Sequence, residues 1–315
     1  MYVVLRAFVY LALHLYCGRI RVNINSAPAL GQPLLLACNH PNSFLDALLV
    51  ATHLPHRMRF LARGDAFRDP RAASVLGALF MIPIYRMSEG RTELKRTGES
   101  FIQAQHQLDQ GNSLLVFSEG IALNEAGLRP LGKATARIAY RAWQGGLDLQ
   151  VLPVWLEYGN FHRPFMDVSI TTGKAFGSPN INAESEATFL RRFNGTLHRR
   201  LLEIPERNQV QQTTQPTGRD RIDRAAVKSL LFLPALVGLL LHAPWYFPLR
   251  GFLAYRTQGT VFFDSVLFAL LFLTYPLWLL VLLGVGTLLS LKAWAVAVLI
   301  IAPLSALALR KFKLA

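Results

Sequence analysis

The residues from Asn39 to Asp46 place several polar side chains directly after an apolar segment. The second residue of this stretch is a histidine, His40, and five residues separate it from Asp46. An imidazole in a turn can take a proton from an alcohol, while a nearby carboxylate fixes its tautomer and stabilises the imidazolium. The pair therefore predicts activation of a hydroxyl group for nucleophilic attack. A structural alternative is that Asn42, Ser43 or Asp46 caps the following helix.

Three further blocks follow this histidine motif in a fixed order. They are Gly77 to Arg86, ending in Pro-Ile-Tyr-Arg, then Phe117 to Gly120, reading Phe-Ser-Glu-Gly, and Val151 to Val154, reading Val-Leu-Pro-Val. In order and spacing, the four blocks resemble the glycerol-phosphate and lysophospholipid acyltransferase family. The signature of that family is a His, four residues and an Asp, followed by three such blocks. The resemblance extends over roughly Leu34 to Lys174.

The resemblance implies that His40 is the general base and Asp46 its partner. It also implies a set of substrate-binding residues, namely Asn42, Arg86, Glu119 and Gly120. An Arg side chain suits a phosphomonoester because its guanidinium offers a charged fork of donors. A Gly lets backbone N–H groups approach an oxyanion closely. A glutamate cannot bind phosphate by charge, so Glu119 is predicted to accept from a substrate hydroxyl or to hold Arg86.

Two departures from the family pattern affect these predictions. The first is the extra residue between the His and the Asp, which resembles a subset of glycerol-3-phosphate acyltransferases and favours that acceptor. The second is the third block, where Ser118, Ile121 and Ala122 replace the Pro, Thr and Arg of the family. The missing charge is predicted to come from Arg129 and Lys133, which follow shortly afterwards. The alternative for these two is a solvated loop and a helix start.

The resemblance implies direct acyl transfer from acyl-CoA or acyl-carrier protein to glycerol-3-phosphate or lysophosphatidic acid. No cofactor is predicted beyond the acyl donor, and no metal, since the His, Asp and Glu positions show no ligand spacing. Cys38 is an unfavoured nucleophile because it lies in an apolar run. Ser118 lacks a Gly-x-Ser-x-Gly elbow, which disfavours an esterase. Two alternatives stay open: another lyso-lipid acceptor, and a non-catalytic lipid-binding membrane scaffold.

Short apolar runs alternate with amphipathic stretches in the region that must position these residues. The alternation predicts an α/β domain with a mixed sheet covered by helices. The predicted strands are Leu34–Cys38, Phe80–Tyr85, Leu114–Phe117 and Val151–Leu156, and the predicted covering helices are Thr92–Gln110 and Lys133–Gln144. A further strand is expected shortly before Arg63.

Charge and apolar content point to a membrane. The 315-residue chain has 33 Lys and Arg against 19 Asp and Glu, a net charge of +14, which attracts a polyanion. Anionic lipid is favoured over nucleic acid because the C-terminal part is strongly apolar and basic residues gain about 1 kcal/mol each near an anionic leaflet. Two cysteines, Cys17 and Cys38, without metal or disulfide spacing, fit a reducing cytoplasm.

Two C-terminal segments, Val261–Leu289 and Ala293–Leu309, are long enough to cross about 30 Å of hydrocarbon. An earlier segment, Leu230–Leu249, is predicted to be broken by Pro244 and Pro248 and to be interfacial or re-entrant, although three full spans are an alternative. The positive-inside rule places the flanking cations, Arg250, Arg256, Arg310, Lys311 and Lys313, on the cytoplasmic side.

The predicted organisation has four parts. Residues 1–20 form an N-terminal membrane-anchoring helix, and residues 21–205 form the acyltransferase domain. Residues 206–228 are a polar linker, and residues 229–315 form the transmembrane helical region. The predicted location is the inner, cytoplasmic membrane of the cell, with the catalytic domain facing the cytoplasm.

Overall fold

A computed structural model describes residues 2–25, 31–85, 91–178, 185–211, 218–288 and 292–314. Within these residues, seven strands form one sheet: β1 (Ile20–Ile24), β2 (Leu34–Cys38), β3 (Met58–Arg63), β4 (Met81–Ile84), β5 (Ser113–Phe117), β6 (Gln150–Tyr158) and β7 (Val168–Thr172). The helices are α1 (Tyr2–Tyr16), α2 (Ser43–His53), α3 (Pro70–Ala78), α4 (Arg91–Asp109), α5 (Ala134–Gln144), α6 (Glu186–Gln211), α7 (Gly218–Arg256), α8 (Phe263–Leu288) and α9 (Lys292–Leu314).

The strand order is β1-β7-β6-β2-β5-β3-β4, and every neighbouring pair is parallel except β6 with β7. The sheet is therefore mixed, which confirms the predicted fold class. Each of the four predicted strands is present, with small changes at the ends. The strand predicted from Phe80 begins at Met81 instead, because Phe80 adopts a left-handed conformation with φ 64° and so belongs to the preceding turn.

The central strand β2 shows why the sequence of this sheet is so apolar. All five of its residues are buried, and they alternate between two cores. Leu35 and Ala37 face the core formed with α4, α5 and α6, whereas Leu34 and Leu36 face the core formed with α1, α2 and the start of α8. Successive side chains of a strand point to opposite faces, so helices on both faces leave no position for a polar residue.

The N-terminal helix α1 has one face in the domain and one face exposed. Val9 and Leu13 are buried in the core against α2, while Val4, Phe8 and Leu11 are exposed. An apolar outer face on a helix that is already packed on its inner face is typical of a membrane-surface contact. The membrane-anchoring role of this helix stays a prediction.

Among the residues that the structure describes, two helices of the C-terminal region are long and apolar enough to cross a membrane, Ala225–Arg256 within α7 and Phe263–Leu288, which is α8. Large apolar side chains on both are exposed, including Leu230, Leu240 and Leu273. The segment predicted to be broken at Pro244 and Pro248 is instead part of one continuous helix of 39 residues. Helix-interior prolines are tolerated in apolar helices whose neighbours supply packing, and α7 packs against α8 and α9.

The predicted polar linker is also different in the structure. Of residues 206–228, positions 206–211 belong to the end of α6 and positions 218–228 to the start of α7. The remaining positions, 212–217, lie outside the described residues. Gln and Arg, which make up eight of these 23 residues, are good helix formers, so a polar linker without an apolar period can still be helical.

Candidate active site

The candidate site begins at the carboxyl end of β2, where residues 39–46, called here the base turn, connect this strand to α2. Ligand sites of open α/β sheets form at the carboxyl ends of their strands. The side chain of Asn39 fixes the turn to the adjacent strand β6. Its Nδ2 donates to the carbonyl oxygen of Leu156 at 2.9 Å, and its Oδ1 accepts from the amide of Leu156 at 2.7 Å.

The structure brings His40 and Asp46 into direct contact. The Nδ1 atom of His40 lies 2.9 Å from Oδ2 of Asp46. The histidine side chain is 18% exposed and the aspartate is fully buried. The carboxylate thus fixes the tautomer through Nδ1, so Nε2 is the ring nitrogen left for a substrate hydroxyl. This is the geometry that a general base with an orienting carboxylate requires.

Two other groups hold the carboxylate of Asp46 in place. The backbone amide of Asn42 donates to Oδ2 at 2.7 Å, and the hydroxyl of Tyr158 donates to Oδ1 at 2.6 Å. Burial raises the pKa of Tyr158 well above its ordinary value, and the charge of Asp46 raises it further, so the phenol stays a donor. Tyr158 is not among the site residues predicted from the sequence. A Tyr at the end of a buried strand has a hydroxyl that needs a hydrogen-bond partner, and this was the sequence signal that could have identified its contact with Asp46.

Phe117, the last residue of β5, supports the imidazole from one side. The two rings are stacked, with centroids 3.8 Å apart and planes 9° from parallel. The stacking leaves the ring little freedom to rotate away from Asp46.

The nearby Cys38 is fully buried, and burial raises the pKa of its thiol well above the ordinary value. A protonated, enclosed thiol is a poor nucleophile, which agrees with its assignment to the core.

Residues 118–133, called here the acceptor loop, fold back over the base turn. The amide of Leu123 donates to the carbonyl of His40 at 3.1 Å, and Nδ2 of Asn124 donates to the carbonyl of Pro41 at 2.9 Å. The loop closes on itself where the amide of Gly132 donates to the carbonyl of Ser118 at 2.7 Å. These bonds place the third sequence block beside the histidine.

Glu119, like Asn124, contacts the base turn through its side chain. Its Oε1 accepts from the backbone amide of His40 at 3.2 Å. Burial raises the pKa of Glu119, while this hydrogen bond and the charges of His40 and Arg129 act in the opposite direction. The charge of Arg129 is therefore close enough to influence this carboxyl. The backbone amide of Gly120 donates to the carbonyl of Phe117 at 3.0 Å, in a turn with φ 71° at the glycine.

The remaining predicted binding residues have different surroundings. Arg129 is half-buried, and Lys133 is exposed immediately before α5. Asn42 is fully buried and donates from Nδ2 to Asp264 at 3.1 Å. Its amide group is thus engaged within the protein, and its predicted contact with substrate stays a prediction. Arg86 lies outside the described residues. The substrate contacts of Glu119, Gly120, Arg129 and Lys133 stay predictions.

Across the part of the chain that the structure describes, no group of three or more His, Cys, Asp or Glu side chains is arranged to hold a metal ion. The arrangement at the base turn is one of acid–base chemistry. A histidine that is held by a buried carboxylate at the open end of a sheet can remove a proton from a hydroxyl group.

Comparison with known proteins gives two findings. Residues 19–157 match the family model described as Acyltransferase. The chain is also similar to the crystal structure of the 1-acyl-sn-glycerophosphate (LPA) acyltransferase PlsC from Thermotoga maritima, with 15% sequence identity and a TM-score of 0.44 over 68% of this chain and 82% of that one. Similarity at this level does not carry an acceptor preference from one chain to the other. No curated protein sequence gives a significant match.

Proposed function

We propose that this protein transfers a fatty acyl chain to a hydroxyl of glycerol-3-phosphate or of 1-acylglycerol-3-phosphate, because residues 19–157 match the family model described as Acyltransferase. The donor is a thioester, acyl-CoA or acyl-carrier protein. The observation that carries the proposal is the 2.9 Å contact between Nδ1 of His40 and the buried carboxylate of Asp46. A half-buried base with its tautomer fixed is what a weak alcohol nucleophile needs.

In the proposed reaction, the acceptor hydroxyl gives its proton to Nε2 of His40 as its oxygen attacks the thioester carbonyl. Asp46 stabilises the imidazolium that forms. The carbon–sulfur bond then breaks, and the departing sulfur takes the proton from His40. The products are an ester and a free thiol, and the enzyme returns to its starting protonation state without a covalent intermediate.

Charged residues of the acceptor loop suit a phosphorylated acceptor. The charge of Arg129 acts to lower the pKa of Glu119, and Lys133 is exposed at the end of the same loop. A guanidinium binds a phosphomonoester through paired charge-assisted hydrogen bonds. We propose that these cations hold the phosphate, and that Glu119 accepts from a glycerol hydroxyl.

The C-terminal helices support a place at the cytoplasmic membrane, with the catalytic domain on the cytoplasmic side. Arg250, near the end of α7, donates to the carbonyl of His162 at 3.0 Å. Arg310, near the end of α9, donates from Nε to the carbonyl of Cys17 at 3.0 Å. These cations thus lie on the same side of the helices as the domain, and the positive-inside rule assigns that side to the cytoplasm.

The experiment that tests the proposal compares two histidine substitutions in the full chain. Membranes with the His40→Ala variant are assayed for ester formation with acyl-CoA and acyl-carrier protein, and with each acceptor. We expect turnover to fall about 10²–10⁴-fold, the usual contribution of a general base. The control is His106→Ala, because His106 is exposed on α4. Turnover near the wild-type rate in the His40→Ala variant would overturn the proposal.

A further inference from the structure

The first turn of α8 lies directly on the base turn. Asp264 and Ser265 are the second and third residues of this apolar helix, yet they are only 1% and 4% exposed. The Oδ2 atom of Asp264 accepts from Nδ2 of Asn42 and from the backbone amide of His162, each at 3.1 Å. A buried carboxylate is stable only where it is paired or hydrogen-bonded. Its position near the amino end of a helix is also favourable for a negative charge.

Ser265 caps the amino end of α2, which the residue before that helix does not do. The first-turn amides of a helix need acceptors from outside it, and Asn42, at the capping position, makes no side-chain cap hydrogen bond. Instead, Oγ of Ser265 accepts from the amide of Leu45 at 2.9 Å. The same hydroxyl donates to the carbonyl of Asn42 at 3.0 Å. The cap of α2 is therefore supplied by a residue about 220 positions later in the chain.

The backbone between these contacts has an unfavourable conformation. Ser43, a buried non-glycine residue, has φ 52°. Such a conformation costs of the order of 1–3 kcal/mol and persists only where neighbouring groups enforce it. Asn42, the residue before this strained position, makes two hydrogen bonds: its side-chain Nδ2 donates to Asp264, and its backbone amide donates to Asp46. The contact with α8 thus connects through one residue to the carboxylate that orients His40.

We propose that Asp264 and Ser265 are positioning residues for the His40–Asp46 pair, so that the C-terminal helical region completes the catalytic turn. This inference rests on the proposed function of His40 as the base. A small displacement of a catalytic group can cost a large part of the rate. Loss of the α8 contacts should therefore lower kcat more than it changes binding of either substrate.

The test measures kcat and KM for the purified full chain in lipid. For Asp264→Ala we expect kcat to fall about tenfold, as for loss of hydrogen bonds to a charged group, with the KM of the acceptor within about twofold. Asp264→Asn keeps a side-chain oxygen in the same place, so it should retain most of the wild-type kcat. Ser265→Ala should lower kcat about threefold, because one helix cap is lost.

A matched control is Thr287→Ala, on the same helix. Thr287 is exposed, and its hydroxyl donates to the carbonyl of Gly284 one turn earlier, so kcat should stay unchanged. Membrane content and melting temperature are measured for each variant. If the Asp264→Ala variant does not fold, the inference is tested by the kcat of Ser265→Ala. A wild-type kcat in Ser265→Ala would then overturn the inference.

The His40→Ala variant is assayed in parallel to separate the two proposals. Loss of turnover in His40→Ala together with wild-type kcat in Asp264→Ala and Ser265→Ala would overturn only the role of α8. Full turnover in His40→Ala would overturn the proposed function itself. A lower kcat in the α8 variants, rescued in Asp264→Asn, supports the inference.

Discussion

The base turn and the acceptor loop are held by the fold to different degrees. The carboxylate of Asp46 is fully buried and accepts hydrogen bonds from His40, Asn42 and Tyr158. The acceptor loop has a well-bonded backbone, but Lys133 is exposed and Arg129 is only half-buried. The difference suggests a division of roles. We propose that the core of the domain fixes the proton-transfer chemistry, and that side chains which can change without disturbing that core select the acceptor.

The Asp46→Asn substitution gives the strongest test of the role proposed for the base turn. A neutral amide cannot stabilise an imidazolium, and its NH₂ group would face donors from Asn42 or Tyr158. We expect kcat to fall about a hundredfold or more, with a much smaller change in the KM of the acceptor. Steady-state kinetics on membranes with matched protein content measures both kcat and KM. A change confined to KM would place Asp46 in acceptor binding instead.

The outer support of the pair is tested by Tyr158→Phe. The substitution removes the donor to Oδ1 of Asp46 and keeps the ring, so Asp46 loses one charge-assisted bond. Such bonds contribute about 1.5–3 kcal/mol, and we expect kcat to fall about tenfold as Asp46 becomes less well held. Tyr140→Phe, on α5, serves as the control. Unchanged kcat in Tyr158→Phe would show that Phe117 and Asn42 are sufficient to hold the pair.

Substitutions in the acceptor loop should change the KM of the acceptor rather than kcat. For each of the variants Arg129→Gln and Lys133→Gln, we expect the KM of the phosphorylated acceptor to rise about fivefold, because a solvent-accessible charge contributes of the order of 1 kcal/mol. The kcat of each variant should stay within about twofold of the wild-type value. High salt should reduce the effect, since it screens exposed charges. Arg163→Gln, on the exposed loop after β6, is the matched control. A loss of kcat with constant KM would contradict the division of roles.

The smallest expected effect concerns stability and pH. Burial raises the pKa of Glu119, so the folded protein binds this proton more tightly than the unfolded chain. The free energy of unfolding therefore decreases as pH rises from the ordinary glutamate pKa through the raised one. Glu119→Gln keeps an oxygen for the amide of His40 and removes this dependence. We expect its melting temperature at neutral pH to exceed that of wild type by on the order of 1 °C, and the difference to vanish at low pH.

Much of the fold was predictable because its strands are buried on both faces. The continuous apolar run Leu34–Cys38 was found with its exact ends. In contrast, β7 reads Val-Ser-Ile-Thr-Thr and lacks such a run. Its polar side chains are buried by pairing across the sheet: the hydroxyl of Thr172 accepts from the amide of Asn25 at 2.9 Å. A single sequence does not show which hydroxyls will find such partners.

The site was predictable where its residues are close in the sequence, as His40 and Asp46 are. Phe117 and Glu119 came from the block that follows in the chain, although the ring stacking was not foreseen. The contacts of Tyr158, Asp264 and Ser265 were missed because the fold brings them together across more than 100 residues. A lone Asp near the start of an apolar helix was the signal for the contact of Asp264, since an acidic residue there is costly unless it has a partner.

The most direct test of the central claim is a double-mutant comparison of His40 and Asp46. If the aspartate acts only through the imidazole, then Asp46→Asn in the His40→Ala background should lower the residual single-turnover rate by less than about twofold, because residues that act as a unit are not additive. The single variants and the double variant are measured under the same conditions, with membrane content matched. A double variant whose loss equals the product of the two separate losses would contradict the account.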